Sequence, residues 1–155
     1  MSRRAKLTKL IEMDEGRRHY PYFDCCGKFF RQCICINQGR LSIGVGRNIE
    51  DNGLSDQEID ILRDNDIDDA ESDSEFLSWF DQLSEVRMVT IQAMLFNLGL
   101  VRFEKFQKMI GAVERADYHL AAQEMLRSLW ATQVGQRAIR LAEMMWQDKY
   151  PEELK

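Results

Sequence analysis

The chain has 155 residues, which is enough for one domain or two small lobes that bury about 68–70% of the surface of the unfolded chain. Apolar residues make up 45% and charged residues 30%, as in an ordinary globular protein, and no apolar run approaches the roughly 20 residues of a membrane-spanning helix. The formal net charge of −5 is unevenly spread, with +6 over residues 1–48, −13 over residues 49–85 and +2 over residues 86–155.

An N-terminal helix is predicted to end at Glu15. Apolar residues before it recur at helical spacing (Leu7, Leu10 and Ile11), and Gly16 suits the left-handed residue that ends a helix. The negative end of the helix dipole would raise the pKa of Glu15, as a general acid near neutral pH requires. A solvated glutamate at a frayed helix end is the ordinary alternative.

A second carboxylate and a glycine-rich strand follow this helix. Asp24 comes nine residues after Glu15, in a segment whose arginines, aromatic residues and proline favour a turn into a sheet. Sugar hydrolysis uses two carboxylates, of which one stays ionised, although a lone aspartate often caps a turn. Residues Ser42 to Gly46 are predicted to form a strand, whose glycines indicate a bulge or a close approach to the backbone.

The acidic part of the chain is predicted to be an exposed helix. Ser55 and Glu58 have the spacing of a capping box, and the few apolar residues after them mark one narrow face. A run of charges is mostly a solvated face, which is the favoured interpretation of residues 49–85. A DNA-mimicking or cation-binding surface is the less favoured one.

The remainder of the chain is predicted to be a bundle of helices with a core of methionine, aromatic and aliphatic side chains. Ser84 is expected to cap the first helix of the bundle, which Gly99 ends, and Gly111 is expected to interrupt the next apolar stripe. Asp117 caps a further helix, and residues Gln133 to Trp146 form the last one.

Four cysteines lie within eleven residues, at Cys25, Cys26, Cys33 and Cys35. These cysteines could be free thiols, form a disulfide or bind zinc. Free thiols are favoured, ahead of a disulfide formed after export from a reducing cytosol. A zinc site comes third, because a Cys-Cys pair and a Cys-x-Cys pair differ from the usual Cys-x2–4-Cys spacing. We therefore expect no metal and no cofactor.

The first half of the chain resembles the phage-type lysozymes, the glycoside hydrolase family 24 endolysins typified by the lysozyme of T-even phages. The family pattern is Glu, eight residues, Asp, a spacer, and then Thr before Ile-Gly-x-Gly. Here Glu15 and Asp24 keep the eight-residue gap, Ser42 stands where the family has Thr, and Ile43 to Gly46 match the glycine-rich segment.

Further matches follow in the same order and extend the resemblance over about residues 7 to 147. They are Gly46-Arg47-Asn48, Gly53-Leu54-Ser55, Phe96-Asn97-Leu98-Gly99, and Trp130-Ala131-Thr132-Gln133 with Arg137. The resemblance implies an α+β, mostly helical, lysozyme-like fold in a single domain over residues 1–155. A small β-containing lobe would span about 12–54 and a linking helix about 55–75. The helical lobe would span about 76–150 and include the N-terminal helix.

The resemblance also implies residue roles. Glu15 would protonate the leaving oxygen, and Asp24, helped by Ser42, would activate water from the opposite side of the sugar. Arg47, Phe96, Asn97, Gln133 and Arg137 would bind substrate, and Arg137 would pair with Glu15 across the cleft. That pairing would lower the pKa of Glu15 and oppose the effect of the helix end.

The implied activity is a muramidase that hydrolyses the β-1,4 bond between N-acetylmuramic acid and N-acetylglucosamine, with inversion at the anomeric carbon. Inversion calls for carboxyl groups roughly 6.5–9.5 Å apart. A non-catalytic peptidoglycan-binding or tail-associated protein on the same fold is the alternative. A transglycosylase needs no paired aspartate, so Asp24 argues against that class.

The expected partner is bacterial peptidoglycan, whose anionic character suits the positive first third of the chain. We expect a monomer with neither nucleic acid nor membrane insertion among its interactions. No apolar signal core follows the basic N-terminus. The resemblance therefore implies a protein that stays in the cytoplasm of the host bacterium until a phage holin releases it to the periplasmic wall.

One departure from the family lies between Asp24 and Ser42, where seventeen residues replace a spacer of about five. The additional segment, roughly residues 25–38, carries all four cysteines. Its β-prone residues Phe29 to Ile36 predict an extension of the small-lobe hairpin. Such an extension would still leave Asp24 and Ser42 close in space, because an inserted hairpin returns the chain to its start.

Overall fold

The computed structural model describes residues 2–37 and 39–154, and for Arg3 it describes the backbone alone. The helices are α1 (Arg3–Glu15), α2 (Ile49–Asn52), α3 (Asp56–Glu75), α4 (Glu85–Leu98), α5 (Leu100–Phe103), α6 (Gln107–Glu114), α7 (Tyr118–Leu126), α8 (Leu129–Val134) and α9 (Gln136–Gln147). The strands are β1 (Arg18–Phe23), β2 (Leu41–Gly44) and β3 (Arg47–Asn48). This confirms the predicted fold class, which is α+β and mostly helical with one small sheet.

The chain divides into two compact units, Met1–Asp60 and Ile61–Lys155. The first unit holds α1, the whole sheet, α2 and the first turn of α3. The second unit is helical. The predicted lobe boundaries, and the placement of the N-terminal helix with the helical lobe, stay predictions.

Helix α1 ends as its sequence predicts. Ser2 caps its start by accepting a hydrogen bond from the backbone N–H of Ala5, and Glu15 is its last residue. Gly16 follows with a φ of +69°, a conformation that favours glycine because a Cβ is strained there. The N–H of Gly16 donates to the carbonyl of Glu12 and so satisfies one of the free carbonyls of the last turn.

The three strands form an antiparallel sheet in the order β1-β2-β3. Phe23 pairs with Leu41, Tyr22 with Ser42, and Ser42 with Asn48 on its other side, so Ser42 lies in the central strand. The predicted strand Ser42 to Gly46 is wrong at its end, since Val45 and Gly46 form the turn into β3.

The backbone conformation of the turn explains why both glycines of that segment are glycine. Gly44 and Gly46 have φ of +67° and +72°, which explains both residues by backbone conformation.

The predicted β-extension over Phe29 to Ile36 is also wrong. Only Phe29 forms a bridge, to Tyr22, and Phe30–Gln32 is a single 3-10 turn followed by irregular chain up to Asn37. No residue of that 3-10 turn is buried, so β propensity has no packed surface on which to act. Gln38, the last residue of the predicted extension, lies outside the described residues.

The predictions of helix caps and of an exposed acidic helix are largely confirmed. Ser55 and Glu58 form the capping box, with the Ser55 N–H 2.7 Å from Glu58 Oε2 and the Glu58 N–H 3.3 Å from the Ser55 hydroxyl. Helix α3 is exposed on most sides, and its buried residues are Ala70 and Ser74. Asp117 caps α7 by accepting a hydrogen bond from the N–H of Leu120.

Two helix boundaries differ from the prediction. Gly111 does not interrupt a helix but lies inside α6. The predicted helix Gln133 to Trp146 is two helices, because Gly135 has a φ of +56° and separates α8 from α9. Gln133 therefore belongs to α8.

The core of the helical unit lies among α4, α6, α7 and α9. Its fully buried side chains include Ile91, Met94, Leu95, Phe103, Met109, Met125 and Met145. This confirms that the methionine and aromatic stripes form a core. None of the helices in the described parts of the chain is both long enough and apolar enough to cross a membrane.

A polar network joins the start of α4 to the end of α9. The Ser84 hydroxyl donates to one oxygen of Asp148, and the Arg87 guanidinium lies 3.0 Å from the other. Arg87 also donates to the carbonyl of Met145 and lies over the ring of Tyr118. Ser84 thus precedes α4 as predicted, but its hydroxyl serves this network instead of capping its own helix.

Candidate active site

Glu15 lies exposed at the C-terminal end of α1, beside the turn between β2 and β3. A Cβ added to Gly46 would come within 2.9 Å of Glu15 Oε2, so the carboxylate lies directly against this glycine. Any other residue at position 46 would both strain the backbone and displace the carboxylate. The turn therefore accommodates Glu15 at its surface.

Asp24 follows the last residue of β1 and is held by the backbone at the start of β2. The N–H of Arg40 donates to Asp24 Oδ1 at 2.8 Å, and the N–H of Asp24 donates to the Arg40 carbonyl at 3.1 Å. The guanidinium of Arg40 instead pairs with Glu50 and Asp51, each at 3.2 Å. Asp24 is thus fixed by a neutral donor and not by the charge of Arg40.

Gly39 makes room for the Asp24 carboxylate. A Cβ at position 39 would lie 1.7 Å from Asp24 Oδ1 and 2.7 Å from the backbone nitrogen of Cys25. No side chain fits in that space while Asp24 keeps its position. The local sequence around Gly39 and Arg40 does not indicate their role, because they contact Asp24 through a pairing between residues that are far apart in the chain.

Ser42 lies close to Asp24 along the neighbouring strand. Ser42 pairs with Tyr22, two residues before Asp24, so the cysteine-rich segment leaves the sheet at Asp24 and returns at Arg40. This bears out the expectation that the inserted residues do not separate Asp24 from Ser42. Ser42 is only 3% exposed, and its role toward water stays a prediction.

Arg47 binds within its own unit. Its guanidinium lies 3.1 Å from Glu58 Oε1 and 3.2 Å from Oε2, and donates to the carbonyl of Gly53 at 2.9 Å. Its Nε is buried and has no partner among the described residues. Arg47 thereby joins β3 to the start of α3, while its predicted contact with substrate stays a prediction.

Glu58 gives this junction a pH dependence. The N–H and hydroxyl of Ser55, with the charge of Arg47, hold the pKa of Glu58 below its ordinary value of 4.5. The stabilisation is present above that ordinary value and is lost as pH falls through the lowered pKa of the folded state. We expect Glu58→Gln to have a lower melting temperature than the wild type at about pH 7, and we expect the difference to shrink as the pH falls below 4.5. Thermal denaturation over this range measures it, and a pH-independent difference would contradict it.

The predicted residues of the helical unit do not all lie together. Phe96 and Arg137 line one groove of about 510 Å³ between α3, α4 and α9, and both are exposed. Asn97 accepts a hydrogen bond from the Trp130 indole at 2.7 Å, which satisfies the N–H of a buried ring. Gln133 is exposed on α8. The structure thus brings Phe96 and Arg137 together, gives Asn97 a structural contact, and places Gln133 elsewhere on this unit.

The four cysteines form one cluster. Their sulphur atoms all lie within 4.8 Å of one another, and the Cys33 sulphur is 3.6 Å from those of Cys25 and Cys26. No disulfide joins them. The backbone N–H of Lys28 donates to the Cys26 sulphur and helps to hold the pKa of that thiol below its ordinary value. Among the described residues, this is the group of cysteine, histidine and acidic side chains whose ligand atoms converge closely enough for a metal ion.

No family model matches the chain. The chain is similar to a protein from Dictyostelium discoideum named "Probable T4-type lysozyme 2". The two are 24% identical over an alignment 155 positions long, which covers 88% of this chain and 91% of that protein. This distant likeness spans nearly the whole of both chains and supports a lysozyme-like family.

Proposed function

We propose that this chain is a muramidase that hydrolyses the β-1,4 bond between N-acetylmuramic acid and N-acetylglucosamine in bacterial peptidoglycan. The likeness to a protein named as a lysozyme supports a glycosidase of this kind. The finer assignment to the phage-type family rests on the ordered motif of Glu15, Asp24, Ser42 and the glycines that follow.

The observation that carries the proposal is that each of the two carboxylates lies against a glycine, near one end of β1. Glu15 precedes β1 and lies against Gly46, and Asp24 follows β1 and lies against Gly39. Each glycine leaves space that a side chain would fill. A pair of carboxylates with different surroundings, one at an exposed helix end and one held by a backbone N–H, suits the division between an acid and a base.

In the proposed reaction Glu15 donates its proton to the glycosidic oxygen as the bond to the anomeric carbon breaks. Asp24, helped by the Ser42 hydroxyl, accepts a proton from a water molecule whose oxygen attacks that carbon from the opposite face. The products are two shorter glycan chains, one with a new reducing end of inverted configuration. Both carboxyl groups then return to their starting states by proton exchange with solvent.

The groove lined by Phe96 and Arg137 is the proposed place for part of the glycan in the helical unit. An aromatic ring packs against a sugar face, and a guanidinium donates hydrogen bonds to hydroxyl, amide or carboxylate oxygens. Gln133 and Arg47 are proposed to contribute further polar contacts. The groove is also lined by Val89, Ala93 and Leu141, which supply its apolar floor.

The biological setting we propose is host-cell lysis by a bacteriophage. The enzyme would remain in the cytoplasm of the host bacterium and reach the periplasmic peptidoglycan when a holin opens the inner membrane. Its first 48 residues carry a net charge of +6, which favours association with an anionic wall.

The test is hydrolysis of purified peptidoglycan from a Gram-negative bacterium by the full chain. We expect a loss of turbidity and muropeptides with reducing ends, identified by mass spectrometry. Products with an anhydro ring would instead indicate a transglycosylase. Binding to the sacculi without any product would support the non-catalytic wall-binding alternative and overturn the proposal.

A further inference from the structure

The segment between Asp24 and Arg40 gathers four sulphur atoms although its sequence spacing is unusual for a metal site. The turn at residues 24–26 and Gly27, with a φ of +63°, reverse the chain after the first cysteine pair. The 3-10 turn Phe30–Gln32 then directs Cys33 back toward that pair. We infer that Cys25, Cys26, Cys33 and Cys35 bind one structural zinc ion.

The distances fit a tetrahedral ion. A Zn–S bond of about 2.3 Å places the sulphurs of a tetrahedral site about 3.8 Å apart. The sulphurs here lie within 4.8 Å of one another, and two pairs are at 3.6 Å. All four therefore reach one central ion with small side-chain adjustments.

Backbone donors and nearby positive charges favour the negative charge of a site with four thiolate ligands. Backbone N–H groups of Lys28 and Cys35 donate to the sulphurs of Cys26 and Cys33, the kind of outer contact that orients metal ligands. Binding replaces four thiol protons by one divalent ion and leaves a net charge of −2 on the site. Residues 25–37 contain Lys28 and Arg31 but no acidic residue, which favours that charge.

The segment also lacks a core that would order it without an ion. Ile34 and Ile36 are 88% and 101% exposed, and none of the three residues of the 3-10 turn is fully buried. Small segments that cannot bury enough apolar surface are commonly ordered by a metal, whose binding energy becomes folding energy.

Four protein ligands fill the coordination sphere, so the ion has no open position for water or substrate and its role is structural. The two ends of the segment are Asp24 and Arg40, which bond to each other through backbone and carboxylate. An ordered segment would therefore hold Asp24 in place. Zinc binding by the four cysteines does not depend on the proposed activity.

The direct test is the metal content of the full chain, produced without a histidine tag and reconstituted with zinc chloride under reducing conditions. After unbound zinc is removed, we expect inductively coupled plasma mass spectrometry to find one zinc per chain. Titration of the thiols with an organomercurial should release that zinc. A cobalt-substituted sample should show the visible absorption of tetrahedral cobalt bound by thiolates.

A matched pair of variants separates ligands from bystanders. The double change Cys33→Ser with Cys35→Ser should lose the ion, whereas Ile36→Ser, a change at an exposed neighbour, should keep it. In the wild type, chelation should speed trypsin cleavage after Lys28 and Arg31 at least about tenfold, because the segment loses its order.

Three results would overturn the inference. The first is less than one zinc per chain in the reconstituted wild type, and the second is iron bound in place of zinc. The third is disulfide bonds between these cysteines, which would leave them unalkylated in the mass of the non-reduced protein. The wild-type measurements decide the matter even if the double variant fails to fold.

Discussion

Replacing Glu15 by glutamine is expected to lower the rate of peptidoglycan hydrolysis by at least about 10²–10⁴, since an amide cannot donate the proton that a general acid supplies. The fold should persist, because Glu15 is exposed at a helix end. The shape of the side chain is also kept, so the contact with Gly46 remains possible. Hydrolysis rates at equal protein concentration, with thermal melting of each variant, measure both parts of this prediction.

Asp14→Asn is the matched control for this change. Asp14 is the preceding residue of the same helix and is also exposed, and its substitution removes the same negative charge. Any general effect of charge on binding to an anionic wall is therefore equal in the two variants. Hydrolysis by Glu15→Gln at a near wild-type rate would contradict the assignment of Glu15 as the general acid. An equal loss of hydrolysis rate in Asp14→Asn would also contradict it.

Those parts of the fold that depend on a few neighbouring residues follow from the sequence. The end of α1 at Glu15 and Gly16, and the capping box of Ser55 and Glu58, are set within one helical turn. Each satisfies backbone groups that would otherwise lack partners, so the residue type and the spacing suffice to predict it.

Local rules are wrong for two of the glycines, although they hold for Gly16 and Gly99. Gly111 lies inside a helix and Gly135 separates two helices, although helical residues flank each of them on both sides. A glycine costs a helix only about 1 kcal/mol relative to alanine, so tertiary packing decides whether the helix continues. The side chains of α6 that pack in the core, Met109, Ala112 and Val113, stabilise the helix on both sides of Gly111.

The sequence predicts the two carboxylates of the candidate site and the glycine beside Glu15, but not the residues that support Asp24. Glu15 and Asp24 have a fixed spacing that a single sequence displays. Gly39 and Arg40 contact Asp24 only because β1 pairs with β2 across the cysteine-rich segment. The register of that pairing depends on how the segment folds, and its β-prone residues gave the wrong local structure.

Replacing Gly39 by alanine is expected to have the second large effect, because Gly39 makes room for the carboxylate of Asp24. In Gly39→Ala the new Cβ would stand 1.7 Å from Asp24 Oδ1, so the carboxylate must leave its position and give up its hydrogen bond from Arg40. A displacement of about 1 Å at a reacting group costs about 10²-fold in rate, and we expect a loss of at least that size. Loss of this exposed hydrogen bond should also lower the free energy of unfolding by about 0.5–1.5 kcal/mol.

A double-mutant cycle with Asp24→Ala shows whether the effect runs through the carboxylate. Gly39→Ala should add little further loss of activity when Asp24 is already alanine, because the group that it displaces is absent. Its stability cost should also shrink, although the contact with the Cys25 nitrogen at 2.7 Å remains. Gly111→Ala serves as the control for exchanging glycine with alanine, since its Cβ would meet only the flexible end of Arg115 at 3.4 Å. Strictly additive losses, or full activity in Gly39→Ala, would show that position 39 does not act through Asp24.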